Sequence, residues 1–463
     1  MHNWAKVFVS VIFIAMLGAS IPVRAQVKPG VKIKPHFKLH LPPARTLPMN
    51  NSQPALTPFG KRNCRFGDPA CNVCVQGLEG QFSRLGVGAN GISGRMRFWA
   101  HVGEFLTPAR QKIEGFDAHH HVEGLARIPD PAAPNWFVLS RAVGKGDAGL
   151  LLVQMDRMNG NFGKRMIVGK DLSTYNHVAA TGTGAKKYVA IAGTKHAGGI
   201  QMLGKLAVVP VNCEGGSCRP WVDIYDLSNK NEPLQISRIL LPGGGNTTAY
   251  YAAAVRLANG YVYVMVNRSN GADFDQYLSN STDINNQTKW FFLGRQNLGG
   301  FNGFYARKKF NPGVRGPISK DPFAYQNANF VTDCDSGNIY LAALRQTVGR
   351  PLKMKQWETA NKIDLFKVNF KTAGMAEFSR IGGRSPFAID WATPAGNSHA
   401  GIVSLQYLPA SSRKFSSQSG CKMRGGASAY VSPRGDLIVY CGPHTGKNGK
   451  LALGEITSIA PRH

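Results

Sequence analysis

Polar and apolar positions alternate along this chain over short stretches, and Gly, Pro or Asn interrupts the alternation every few residues. Met96, Phe98 and Ala100 alternate with Arg95, Arg97 and Trp99, the pattern of a half-buried strand. Short runs rich in Val, Ile, Leu and aromatic residues follow at 124–128, 136–140, 150–155 and 165–168. A second set lies at 199–203, 206–211, 221–227 and 234–240, and a third at 253–257, 261–266, 273–278 and 290–293. A fourth occupies 329–332, 339–344, 363–370 and 376–381, and a fifth 427–431, 437–440 and 451–459. Runs of this length between turn residues predict strands. Helical periodicity is hard to find anywhere.

The sets share a beginning. His119-His120-His121-Val122-Glu123-Gly124-Leu125 returns as His196-Ala197-Gly198-Gly199-Ile200. Fainter echoes start at Tyr250, Tyr325 and Met423. A second element keeps the same phase: the third strand reads Val222-Asp223-Ile224, Ala272-Asp273-Phe274 and Ile363-Asp364-Leu365. Four-stranded units recurring every roughly 55–75 residues predict an all-β propeller, since one blade cannot bury both its faces alone. The expectation is five blades of four antiparallel strands. A sixth is open because 385–408 contains Gly401-Ile402-Val403-Ser404-Leu405-Gln406-Tyr407. The fifth unit lacks a fourth strand, which residues 95–102 would supply, closing the ring with N- and C-terminal segments. A two-sheet sandwich is the alternative.

His-x-x-Gly-Leu/Ile before an inner strand, then GIQMLGKLAVVPV, VDIYDLS and YQNANFVTDCDSGNIYL, is similar to a group of secreted bacterial β-propeller proteins whose activity is not settled. The resemblance covers about residues 116–444 and implies the fold and export. The pattern departs from it where His gives way to Tyr250, to Tyr325 or Gln326, and to Met423.

Lys6, an apolar run at 7–17 and Val23-Arg24-Ala25 before Gln26 read as a signal peptide over residues 1–25, the run being short for a membrane anchor. Residues 26–62 are rich in Pro and Lys and read as a basic linker, leaving 63–463 as the propeller domain. Export places the protein in the periplasm or outside the cell. There the eight cysteines are expected as disulfides. Cys213 and Cys218 would clip a local loop, and Cys421 and Cys441 flank one hairpin. Cys64, Cys71, Cys74 and Cys334 remain, and Cys71-Asn72-Val73-Cys74 has no second such pair to complete a zinc site. The formal charge of +29 favours anionic polymers, glycans or cell-surface components as partners.

Residues just before the inner strands of a propeller gather at one mouth of its axis. His121, Glu123, His196, Tyr250, Gln326 and Arg424 are the expected set, and a concave polar convergence of this kind is a ligand site. It admits binding of an anionic or carbohydrate ligand. It admits a divalent metal on His121 and His196, with His120 or Glu123, activating water for hydrolysis of a phosphoester or glycosidic bond. It admits His121 or Glu123 as general acid or base. The structural alternative is that the two histidines lock neighbouring blades together. A third functional class is a basic interaction platform with no axial chemistry. At most two of His119, His120 and His121 share a face. His444 reads as rim, and His101 and His399 have no repeat logic. Asp333-Cys334-Asp335-Ser336-Gly337-Asn338 lacks the bidentate Glu of a calcium loop and reads as a hairpin turn. Residues 243–248 lack the Lys of a phosphate loop, and 425–429 lack the spacing of a nucleophile elbow.

Overall fold

A computed structural model describes residues 46–47, 54, 56–85, 95–101, 105–106, 112–113, 120–132, 136–143, 147–154, 166–167, 184–212, 219–242, 248–268, 273–297, 314–315, 327–351, 358–370, 376–384, 426–442 and 450–457. The chain separates into two units, Met1–His40 and Leu41–His463, and every described residue lies in the second.

The alternating runs fold as five larger sheets, almost wholly antiparallel, in a β-propeller arrangement. His120–Arg127, Trp136–Val143, Ala148–Gln154 and Gly184–Ile191 form a four-stranded sheet. The next holds His196–Ala197, Gln201–Leu203, Leu206–Asn212, Trp221–Asp226 and Leu234–Leu240. Ala252–Arg256, Val262–Asn267, Asp273–Ser279 and Trp290–Asn297 follow, and Thr46–Leu47 adds to the last of these in parallel. Asn327–Thr332, Ile339–Pro351, Glu358–Phe370 and Ala376–Arg384 form another, with Val314–Arg315 on the far end of Ile339–Pro351. The last runs Ala427–Val431, Leu437–Cys441, Lys450–Thr457, Arg95–His101 and Met166–Ile167.

The expected five blades of four strands are corrected here to four blades of five strands, beside the four-stranded sheet of residues 120–191. The extra strands are short segments that cover exposed sheet edges, Thr46–Leu47 and Met166–Ile167 from parts of the chain distant in sequence and Val314–Arg315 from just before its own sheet. In the second sheet Gly198 and Gly199 split the inner strand in two. Residues 165–168 were expected as the fourth strand of the first unit. Met166–Ile167 instead pairs with Arg95–His101, and the longer Gly184–Ile191 takes the fourth place. Arg95–His101 pairs along its whole length with Lys450–Thr457. Residues 385–408, where a sixth unit was open, lie outside the described residues.

Sheets consecutive in the chain are held face to face by apolar clusters. Ile128, Val138, Leu150 and Leu152 of the first meet Ile200, Val209 and Val211 of the second. Val208, Ile224 and Ile239 meet Val264, Tyr277 and Trp290 in the next gap, and Tyr263, Met265 and Phe274 meet Phe330 and Leu341 in the one after. Each large side chain buried this way contributes about 1.5–3 kcal/mol. Between the last sheet and the first the filling is aromatic. Phe137 lies edge-on to Tyr440 at 5.1 Å, and Arg127 donates to Tyr440 Oη at 2.5 Å while stacking over Tyr430.

Polar side chains on the inner strands stitch these sheets to one another. Gln201 Oε1 accepts from the backbone N–H of Ala254 and of Phe330, each at 2.9 Å, and its Nε2 donates to Phe330 O at 3.0 Å. Asn327 Nδ2 donates to Ile200 O and to Ala427 O, and Asn329 Oδ1 accepts from Ala429 N. All three side chains are buried.

Residues 56–85 cross the turns that follow the inner strands. Gly60 bridges Leu257, Pro69 bridges Gly204, and Val75 bridges Asp333. Gln81 Oε1 accepts from Leu437 N at 2.7 Å, and Gln81 Nε2 donates to Gly435 O at 3.0 Å. A Cβ on Gly67 would strike Pro131, just past the His120–Arg127 strand. The segment contains one helix, Leu78–Arg84, contrary to the expectation of none. Its signal is the spacing of Leu78, Phe82 and Leu85, all buried. Cys74–Cys334 ties the segment to the Asp333–Gly337 turn, and Cys64–Cys71 closes it locally. Cys71 and Cys74 therefore bond to different partners, which excludes the zinc half-site. Cys441 is in a disulfide, while Cys213, Cys218 and Cys421 lie outside the described residues. Asp333 holds a turn: its Oδ2 accepts from Ser336 N and Oγ, and its Oδ1 from Leu78 N.

Candidate functional site

His121 and Glu123 sit two residues apart on the His120–Arg127 strand, a spacing that turns side chains to one face. The register slips between Val122, which faces Arg141, and Gly124, which faces Ser140, so Glu123 is the extra residue of a bulge. Bulges re-aim side chains at strand ends. His196 opens the adjoining sheet opposite Asn212.

Two glycines let these strands approach. A Cβ on Gly124 would lie 2.7 Å from Gly198 O and 2.8 Å from Ile200 N. A Cβ on Gly198 would overlap the carbonyl of Tyr250, and Gly199 N donates to that carbonyl at 2.7 Å. The glycines of the repeated motif thus serve backbone contact between sheets.

The result is a cluster of three. His121 Nε2 lies 2.5 Å and His196 Nε2 3.5 Å from Glu123 Oε1, with the imidazole centroids 6.4 Å apart. The side chains are 21%, 10% and 14% exposed for His121, His196 and Glu123, so the cluster is recessed yet reachable. Burial by itself raises the Glu123 carboxyl. Hydrogen bonds from His121 and His196, with their charge, outweigh it and hold the group at about 2. Glu123 is therefore a carboxylate at any physiological pH.

One donor atom from each residue lies within 4.8 Å of the other two. Two imidazoles and a carboxylate suit zinc and similar divalent ions, with a coordination position left open. Metal bonds of that kind, arranged tetrahedrally, separate ligand atoms by about 3.4 Å. The His196–Glu123 spacing of 3.5 Å already matches, and the 2.5 Å His121–Glu123 pair would open by about 0.9 Å. The donor set fits a divalent cation.

Of the six expected mouth residues, these three come together. Tyr250 contributes its backbone, and its side chain is partly buried against the apolar cluster that Tyr263, Met265 and Phe274 share with Phe330 and Leu341. Gln326 and Arg424 lie outside the described residues, as do the side chains of His101 and His120 and all of His119, His399 and His444. The polar groups that reach between inner strands are Gln201, Asn327 and Asn329. The repeat pattern put Gln201 inside the run at 199–203, opened the run at 329–332 on Asn329 and left Asn327 just before it, and gave none of them a role.

Of the motif's third-strand aspartates, Asp223 is structural, and the side chains of Asp273 and Asp364 lie outside the described residues. Asp223, fully buried, accepts from Arg238 Nε at 2.6 Å and from Trp221 Nε1 at 2.8 Å. The equivalent in the next blade is Asp275, two residues beyond the Asp273 of the sequence motif, and it accepts from Arg295 Nε at 2.8 Å.

No protein-family model matches the chain, and no curated protein does. Among solved structures it is similar to a putative hydrolase from Bacteroides ovatus, at 10% identity over 74% of this chain and 86% of that one, TM-score 0.32. It is similar to the hydrazine synthase of Kuenenia stuttgartiensis at 12% identity over 69% of this chain, TM-score 0.27, and spans 61% of that protein's length. A prolyl endopeptidase matches at 11% identity over 70% of this chain and 39% of its own, TM-score 0.27. At these values the likeness bears on none of the site's chemistry.

Proposed function

We propose that this protein is an exported β-propeller that binds an anionic ligand where His121, Glu123 and His196 meet, through a divalent cation held by those three side chains. The observation that carries the reading is the convergence of two imidazoles and an ionised carboxylate from two sheets onto one point. The positive charge of the chain, +29, favours anionic ligands over neutral ones. The disulfides Cys64–Cys71 and Cys74–Cys334 support export to an oxidising compartment. No helix among the described residues is long and apolar enough to cross a membrane. We read the pairing of Arg95–His101 with Lys450–Thr457 as the closure of the ring.

A second reading is hydrolysis of a phosphoester or glycosidic bond at the same place. The open coordination position favours it, since a bound divalent cation supplies a Lewis acid and an activated water. Glu123 and the histidines would then position the ion.

The test is elemental analysis and zinc titration of the untagged protein beside His121→Ala/His196→Ala. One equivalent of metal in the wild type and none in the variant is the expected result. No metal in either, with the variant less stable, would overturn the reading and leave the cluster as a lock between sheets.

A further inference from the structure

The blade of residues 252–297 carries a buried arginine beside its third-strand aspartate that the preceding blade lacks. Val209 pairs with Asp223 in one blade, and Val266 pairs with Asp275 in the next. Two residues further on, the first blade has Val211, fully buried, and the second has Arg268, 4% exposed. A guanidinium thus occupies the place of a core valine. Its Nη1 lies 3.3 Å from Asp275 Oδ2 and its Nη2 donates to Pro242 O at 2.9 Å, but its Nε makes no hydrogen bond. Tyr277, two residues beyond Asp275, is fully buried, and its hydroxyl makes no hydrogen bond either. Tyr277 lies within electrostatic reach of Asp275, Arg268, Arg295 and Arg219.

Buried donors almost always have acceptors. Asp275 lies against both Arg268 and Arg295. The group that would complete this cluster is an acceptor carrying negative charge. Arg295 is 45% exposed, and the guanidinium fork matches oxyanions.

We propose that Arg268, Tyr277 and Arg295 form a second anion site, selective for a tetrahedral oxyanion, phosphate or sulfate, free or as an ester on a larger molecule. The site is independent of the His121–Glu123–His196 cluster. Arg268 and Tyr277 form its buried floor and Arg295 its rim.

Isothermal titration of the full chain with inorganic phosphate and with inorganic sulfate at low ionic strength tests this. A heparin-derived sulfated disaccharide and a sugar phosphate form the ester arms, and acetate is the planar control. The wild type should show one saturable site for the tetrahedral anions and weaker heats for acetate. Tyr277→Phe, which keeps the ring's packing, should bind about tenfold more weakly with its anion-free melting temperature unchanged. Arg268→Met should lose binding, and His121→Ala/His196→Ala should retain it. Ester arms that bind tighter than the inorganic ions would identify the ligand as a larger molecule. The absence of saturable binding, wild-type affinity in Tyr277→Phe, or loss of binding only in the histidine double variant would each overturn the proposal.

Discussion

Replacing Glu123 by Gln isolates what its charge contributes. The folded carboxyl sits at about 2 against an ordinary value of 4.5, which corresponds to about 3 kcal/mol of stability when the group is ionised in both states. Because the folded value is the lower one, this stability is present above about pH 4.5 and is lost as pH falls towards 2. At about pH 5 nearly all of it remains. At about pH 3 the unfolded carboxyl is almost wholly protonated while the folded one is mostly ionised, and about 2 kcal/mol has gone. The assay is urea unfolding of wild type and Glu123→Gln with chelator present, so that no metal contributes. The gap between the two proteins should be about 3 kcal/mol at pH 5 and about 1 kcal/mol at pH 3. An equal gap at both values would refute the reasoning, because the loss would then come from packing rather than from an ionised Glu123 held by two histidines.

Two further outcomes follow from contacts far from that cluster. Gln201→Leu leaves Ala254 N, Phe330 N and Phe330 O without the side chain that pairs them, at about 1–3 kcal/mol for each group that finds no substitute; a change below about 1 kcal/mol in urea unfolding would show that Gln201 is dispensable. Cys334→Ser opens a crosslink spanning 260 residues, with an expected loss of about 2–5 kcal/mol. New protease cleavage within 59–85 should accompany it, and an unchanged melting temperature and cleavage pattern would count against the anchoring role.

The sequence displayed the strands well because their signal is local. Leu234–Leu240 and Ala427–Val431 lie where the runs at 234–240 and 427–431 predict them. Which strand joins which sheet was legible where the partner was adjacent, and for residues 95–101 because the last unit was one strand short. Thr46–Leu47 is too short to carry a pattern, and Met166–Ile167 was legible as a strand but not by its sheet; both sheets are chosen by edges distant in sequence. The His121–Glu123–His196 convergence could be anticipated because a repeat fixes where each unit begins. Arg268 could not, because its position is apolar in the neighbouring blade and nothing local marks the change. The partners of Cys64, Cys71, Cys74 and Cys334 were left open by the sequence for a similar reason. Nearness in sequence suggested clips for Cys213 and Cys218, whereas Cys74 finds Cys334 only after the fold brings residues 56–85 across the turns.

That crossing segment gives the two ends of the inner strands different characters. At one end residues 56–85 lie over the turns beyond Leu203, Arg256, Thr332 and Val431, and Gly67 lies against Pro131. Between the ends, Gln201, Asn327 and Asn329 fill the space among the inner strands with paired, buried amides. At the other end stands the cluster of His121, Glu123 and His196, recessed but still reached by solvent. A ligand cannot pass along the inner strands without breaking several buried hydrogen bonds, each of which would leave a backbone group unpaired at about 1–3 kcal/mol. On the proposed function, binding at the cluster is one-sided, with entry and release by the same route. A ligand too large to enter can still be held by its terminal anionic group, and for such a ligand the affinity should depend on the end group and little on the length behind it.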